Sequence, residues 1–229
     1  MKWNNFNIEW NSEITNETEK VALAKKVAGK VKDGDVIGFG SGSTSFLAVK
    51  EIAKRIKADK LNVIAIPTSY EIKLLCESLG IPTASIMEFK PDWSFDGTDE
   101  YNDQNWLIKG RGAAMFKEKL NIVNSKKVYI LADNSKHVKR LGQKFKIPIE
   151  CFPDAIKYVV QELEQLGANE CVLRTGKGKD GPVMTENNNV ILDAKFTNID
   201  KDLEKNIKLI PGVIESGLFI GYDNIEILK

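Results

Sequence analysis

Short apolar runs alternate with helical stretches from residue 17 to residue 136, and this alternation constrains the fold more than any other feature of the chain. Glu17 to Lys32 reads as a helix of about four turns, with Val21, Ala24, Ala28 and Val31 on its apolar face and Asp33-Gly34 as its stop. Val36-Ile37-Gly38-Phe39 is then a short buried strand, Ser45 to about Lys57 a helix, and Leu61 to Ile66 the next strand. Ser69 caps a helix that carries Ile72, Leu75 and Leu79 and stops at Gly80. Trp93–Phe95 and Val128–Leu131 are further strands, with a helix over Gly110–Leu120 between them. Strands joined through helices need crossovers, which predicts a Rossmann-like α/β domain with a mostly parallel sheet covered on both faces.

The pattern then changes. Ile147 to Phe152 reads as a strand, and Pro153 opens a helix that runs to Leu166 and stops at Gly167. Val172–Arg174 is a strand, and Val183–Thr185 with Val190–Phe196 flanks a hairpin turn. A helix from about Lys201 to Lys208 and a strand near Val213–Ile220 complete a βαββαβ order, which is ferredoxin-like. The expected organisation is an N-terminal extension over 1–16, an α/β domain over 17–143 plus 221–229, and a smaller α+β lobe over 144–220. Lys177–Gly181 reads as an exposed loop.

Three loops carry chemistry. Asp96-Gly97-Thr98-Asp99-Glu100 follows the Trp93–Phe95 run, so its carboxylates fall at a strand end, where open α/β sheets bind ligands. Lys109-Gly110-Arg111-Gly112 reads as a Gly-rich loop opening a helix, which presents backbone N–H groups to an anion, and Glu118 lies on that helix. Several carboxylates and one lysine beside an anion site suit proton transfer on a phosphorylated small molecule. The plainer reading is a solvated acidic turn before a surface helix; the combination favours the first. Gly40-Ser41-Gly42-Ser43-Thr44 also joins a strand to a helix, and its glycines and hydroxyls suit a phosphate cradle better than a plain turn. No lysine follows where a Walker loop needs one. Lys136, after the Val128–Leu131 strand, reads alone as a surface lysine but is placed to reach the same sheet edge.

Charge and composition narrow the classes. Lys and Arg total 33 against 32 Asp and Glu, a balance that argues against nucleic acid or an anionic membrane as partner. No apolar run is long enough for a bilayer, and residues 1–16 lack the apolar core of a signal peptide. Cys76, Cys151 and Cys171 have no metal-ligand spacing and read as reduced cytosolic thiols. With His137 as the sole histidine, multi-histidine zinc sites and Ser-His triads have little to work with.

These residues resemble the type A family of ribose-5-phosphate isomerases. The resemblance runs over nearly all of Glu17 to Ile220 and is strongest at Gly38–Thr44, Asp96–Glu100, Ile108-Lys109-Gly110, Glu118-Lys119 and Ser135-Lys136. Thr185-Glu186-Asn187, Val190–Asp193, Ile210–Val213 and Gly217–Phe219 extend it. It implies an enzyme that interconverts ribose 5-phosphate and ribulose 5-phosphate in the non-oxidative pentose phosphate pathway. It also implies a cytoplasmic enzyme without metal or other cofactor, acting as a homodimer or homotetramer. Glu118 then matches the general base, Asp96 and Asp99 the acids that bind sugar hydroxyls and assist ring opening, and Lys109 the cation near the enediolate. Ser41, Gly42, Ser43, Thr44 and Lys136 match substrate and phosphate contacts, with Lys20 near the phosphate. Gly97, Thr98, Gly110, Arg111 and Gly112 complete the expected substrate-binding set. Ser41 stands where the family often has threonine and Arg111 where it usually has glycine, and the stretch after Gly221 is short. An isomerase of another phosphorylated sugar and a non-catalytic sugar-phosphate binder are the alternatives; a sensor needs no proton shuttle, which weighs against the second.

Overall fold

The computed structural model describes residues 8–229 apart from Asn11, Lys177 and Lys179, so the first seven residues of the N-terminal extension and part of the Lys177–Gly181 loop lie outside the described residues. The chain packs as two units. Of the described residues, the first takes in those up to Gly97, Lys117–Ser135 and Asn224–Lys229; the second takes in those of Thr98–Phe116 and Lys136–Asp223.

In the first unit, α1 (Glu17–Ala28), β1 (Val36–Phe39), α2 (Ser43–Asp59), β2 (Ile64–Pro67), α3 (Tyr70–Leu79) and β3 (Trp93–Gly97) alternate along the chain. The order resumes with α4 (Met115–Asn124), β6 (Lys127–Leu131) and, at the end of the chain, β12 (Ile225–Leu228). The strands form one parallel sheet in the order β12-β6-β3-β1-β2. β1 pairs with β2 on one side and β3 on the other, so the connections reverse direction between β1 and β3. Leu23, Ala24 and Val27 of α1 and Phe46, Val49 and Ile52 of α2 bury against Ile37, Phe39 and Phe95 of the sheet. Each of these side chains larger than alanine contributes roughly 1.5–3 kcal/mol when withdrawn from water. Trp10 adds an edge-on contact with Phe46, the ring centroids 5.5 Å apart.

Several boundaries differ from the sequence expectation, and three of the differences have a plain local cause. α1 ends at Ala28, four residues early, because Lys30 and Val31 turn back to the carbonyls of Val27 and Ala28. Val31 is still buried, so its apolar spacing continues past the end of the helix. β2 starts at Ile64, because Lys60 caps α2 at a φ of 54° and Leu61 N donates to Ile56 O. α4 starts at Met115 rather than Gly110: Gly110 and Ala113 have φ of 105° and 57°, which no right-handed helix accommodates. The short C-terminal stretch forms β12, which pairs with β6 after the Asn224 side chain has capped the carbonyls of Ile122 and Ser125.

The second unit holds two antiparallel sheets. β7 (Ile147–Cys151), α5 (Ile156–Gln165), β8 (Ala168–Leu173), β9 (Val190–Phe196), α6 (Leu203–Lys208) and β10 (Val213–Ser216) follow the βαββαβ order. Their spatial order β10-β7-β9-β8 is antiparallel at every pair, the ferredoxin-like arrangement. Val183–Thr185 forms no hairpin strand. Only the isolated bridge Met184–Val190 links it to β9, and Thr185 and Asn189 turn inward to donate to the buried Glu150 carboxylate, at 2.8 Å each.

The second sheet joins β4 (Glu100–Tyr101), β5 (Leu107–Ile108) and β11 (Leu218–Phe219) in the order β11-β5-β4. Thr98–Phe116, drawn with the α/β domain in the sequence reading, therefore packs with the second unit. The expected single strand over Val213–Ile220 is two strands in different sheets. Gly217 separates them, its N–H donating to Pro148 O at 2.7 Å and its C=O accepting from Lys109 N at 2.8 Å.

Candidate active site

In the first unit, the reversal of strand order between β1 and β3 is where an open parallel sheet leaves a crevice at its carboxyl edge. Phe39 pairs with Phe95, so the next residues, Gly40 and Asp96, lie side by side. Gly40 N donates to Phe95 O at 2.9 Å, and its Cα packs directly against the Asp96 side chain. Asp96 is 3% exposed; its Oδ1 accepts from Gly97 N at 2.7 Å and from Ser45 Oγ at 3.5 Å.

The Gly40–Thr44 turn runs straight into α2. Gly42 takes a φ of 88° and no side chain caps the helix, so the first N–H groups of α2 have no intrahelical acceptor. Ser41 Oγ pairs with Thr68 Oγ1 at 2.7 Å, and Thr68 is tied to Phe39 O. The Lys20 ammonium, brought by α1, donates to Ser43 Oγ at 3.0 Å although the residue is 5% exposed. A buried cation, two hydroxyls and a helix N-terminus together form an anion-binding arrangement.

α4 leads into a parallel strand, so its first turn starts from the same carboxyl edge. Glu118 lies in that turn and is 4% exposed. Asn121 shares its helix face at i+3; its side chain donates to Ile66 O at 2.9 Å and rests against Gly38, which fixes that face on the sheet. After β6, Asp133 Oδ1 accepts from Ser135 N at 2.8 Å and from Ser135 Oγ, shaping the turn before Lys136.

In the second unit, Asp99 N bonds to Ile108 O, and Thr98 Oγ1 donates to the carbonyls of Glu100 and Ile108 at 2.7 and 2.9 Å. Lys109 is 3% exposed and its ammonium lies 5.9 Å from the Phe219 ring centroid. Arg111 N donates to Asp99 Oδ2 at 3.2 Å. The Arg111 guanidinium and the Lys136 ammonium both face the Phe145 ring, at 5.4 and 5.8 Å. Asp99, Arg111 and Phe145 line a cavity of about 450 Å³.

Among the sequence-predicted residues, the first unit thus gathers Ser41–Thr44, Asp96, Gly97, Lys20 and Glu118, and the second gathers Thr98, Asp99, Lys109–Gly112 and Lys136. The Gly-rich loop is not the start of α4 but a separate turn, closed by Ala113 N to Gly110 O at 3.1 Å. Sequence reasoning missed two supports. Glu100 is fully buried and receives the backbone N–H groups of Gly142, Lys144 and Phe145 at 2.5–2.7 Å, so this acid holds the loop that carries Phe145. Arg174 reaches the Gly110–Arg111 loop from β8. No local pattern marks either role. Among the described residues no group of three or more His, Cys, Asp or Glu side chains is placed to hold a metal ion, and no helix is long and apolar enough to cross a membrane.

Comparison with known proteins gives a consistent result. The profile of the family described as Ribose 5-phosphate isomerase A (phosphoriboisomerase A) matches residues 64–228. The chain is 43% identical over 215 residues to the ribose-5-phosphate isomerase A of Methanocaldococcus jannaschii, covering 93% of this chain and 94% of that one. It is 41% identical over 216 residues to the Pyrococcus horikoshii protein of the same name, covering 93% of each. The solved Methanocaldococcus jannaschii structure superposes with a TM-score of 0.89, covering 93% of this chain and 95% of that chain at 42% identity. A D-ribose-5-phosphate isomerase in complex with phospho-erythronic acid superposes equally well, with a TM-score of 0.89, 38% identity and the same coverage.

Proposed function

The chain belongs to the ribose 5-phosphate isomerase A family, and on that premise we propose that it interconverts ribose 5-phosphate and ribulose 5-phosphate through an enediolate. The observation that carries this reading is the burial of three ionisable groups to which the family resemblance gives catalytic roles: Asp96, Lys109 and Glu118 are 3%, 3% and 4% exposed. Burying charged groups is costly, and buried carboxylates and lysines are suited to proton transfer.

The roles follow from the chemistry. Asp96 and Asp99 bind sugar hydroxyls and assist opening of the furanose. Glu118 takes the proton from C2 of the open-chain aldose; the C1–C2 double bond forms and O1 takes up negative charge. Lys109 stabilises that charge, as a fixed cation in a water-poor site does strongly. O1 gains a proton, the O2 hydroxyl gives up its own, and Glu118 returns its proton to C1, leaving a ketone at C2. One carboxylate therefore moves one proton between adjacent carbons, a step typically worth ~10²–10⁴-fold in rate. The scheme uses no metal. The Ser41–Thr44 turn with Lys20 holds the phosphate, and Lys136 adds a contact. The relative bound to phospho-erythronic acid, a phosphorylated sugar acid, supports a phosphate at one end of the ligand and a negative charge at the other. The protein acts in the cytoplasm as a homodimer or homotetramer.

Turnover of ribose 5-phosphate, followed beside arabinose 5-phosphate, glucose 6-phosphate and unphosphorylated ribose, tests the assignment. Ribose 5-phosphate is expected to exceed the others in kcat/KM. Preference for another aldose phosphate would move the assignment to that sugar and point to Arg111. Binding without turnover of any of them would contradict an enzymatic role.

A further inference from the structure

The Arg174 side chain makes four hydrogen bonds, two of which lead away from its own sheet. The residue follows β8, its N–H extending the ladder to Ile191 O at 2.9 Å. Nε and Nη2 grip both oxygens of Asp193 on β9, at 2.8 and 2.5 Å. Nη1 donates to Gly110 O at 2.9 Å and to Arg111 O at 3.0 Å. The two side chains are 16% and 24% exposed, so the pair is held largely out of water. A guanidinium locked bidentately by a carboxylate has a fixed orientation.

The acceptors matter because of what lies on their far side. The carbonyl of Gly110 and the N–H of Arg111 belong to one planar trans peptide and point in opposite directions. The carbonyl receives Arg174; the N–H donates to Asp99 Oδ2 at 3.2 Å. A chain of contacts therefore runs from Asp193 through Arg174 and the 110–111 peptide to Asp99. The loop needs such a hold: Ala113 sits at a φ of 57°, a conformation that costs a non-glycine residue of order 1–3 kcal/mol and persists when its surroundings over-determine it.

We propose that Arg174, oriented by Asp193, is a positioning residue for the isomerase reaction, setting the Gly110–Arg111 peptide so that its N–H holds the Asp99 carboxylate toward the sugar. This rests on the reading of Asp99 as a group that binds the sugar. The charge on Arg174 also polarises the peptide, strengthening the bond from Arg111 N to the carboxylate.

The test is a double-mutant cycle on ribose 5-phosphate turnover, with Arg174→Ala, Asp99→Asn and the double variant, each checked for an unchanged circular dichroism spectrum. Arg174→Ala is expected to lower kcat by roughly 10–100-fold, the scale of a misplaced catalytic group, while KM changes by less than about threefold. Added to Asp99→Asn, the same substitution should cost less than about threefold, because the group it positions is already lost. Equal losses in both backgrounds would overturn the relay and leave the role of Asp99 standing. Full activity of Asp99→Asn would overturn the reading of Asp99, and the relay with it. Arg174→Lys keeps the charge but not the fork, and it carries the same cycle where Arg174→Ala does not fold. It is expected to show an intermediate loss, and wild-type activity would overturn the need for the guanidinium.

Discussion

Gly40 and Asp96 show how closely single residues are matched at the candidate site. A Cβ built on Gly40 would lie 2.2 Å from Asp96 Cγ and 2.6 Å from its Cα, too close for any side chain without movement of β1 or β3. Gly40→Ala should therefore destabilise the protein by about 1–3 kcal/mol, the usual cost of forcing a methyl into a packed site. Because the carboxylate is what the methyl meets, kcat/KM for ribose 5-phosphate should fall as well. Thermal melting and steady-state kinetics check both; unchanged stability and activity would mean that the contact relaxes freely. The Gly40–Thr44 loop was legible in the sequence because glycines and hydroxyls between a strand and a helix carry a local meaning. The role of Arg174 was not legible, since the loop carbonyls it holds lie 63 and 64 residues away and nothing near it in the chain announces them.

At the scale of elements, type was more legible than extent. The parallel sheet and the βαββαβ lobe both follow from periodicity, and the structure contains them. The departures arise where a backbone requirement overrides a side-chain pattern. Gly217 is the clearest: a Cβ there would stand 2.1 Å from Lys109 O, so the apolar run Val213–Ile220 reads as one strand but is parted at the residue that lets β5 approach. The left-handed Ala113 likewise delays α4, so the Gly-rich loop read as its opening is a separate turn. The β4–β5 pair escaped notice because each strand has two residues, too few for period-two alternation to register. Glu100 stood in an acidic run read as solvated or catalytic, yet it serves as a buried acceptor for three N–H groups. Sequence alone does not distinguish those uses of a carboxylate.

At the scale of the whole molecule, burial sets how the protein responds to alkali. Desolvation pushes the Cys76 thiol up to about 12 and Cys151 up to about 11, from an ordinary value of 9.0. The folded state therefore keeps protons that the unfolded chain releases above pH 9, and stability should fall with rising pH between about 9 and 12. At pH 8 a thiol reagent should modify the partly buried Cys171 in the native protein and all three cysteines only after unfolding; fast native modification of three thiols would contradict the packing. The proposed isomerisation turns on one proton and one carboxylate. Glu118→Gln keeps the size of the side chain and its place on α4 but removes the proposed base. The measurement is turnover and binding of ribose 5-phosphate by this variant beside the wild type. Isomerisation should be almost completely lost with phosphosugar binding largely retained; near-normal turnover would refute Glu118 as the base.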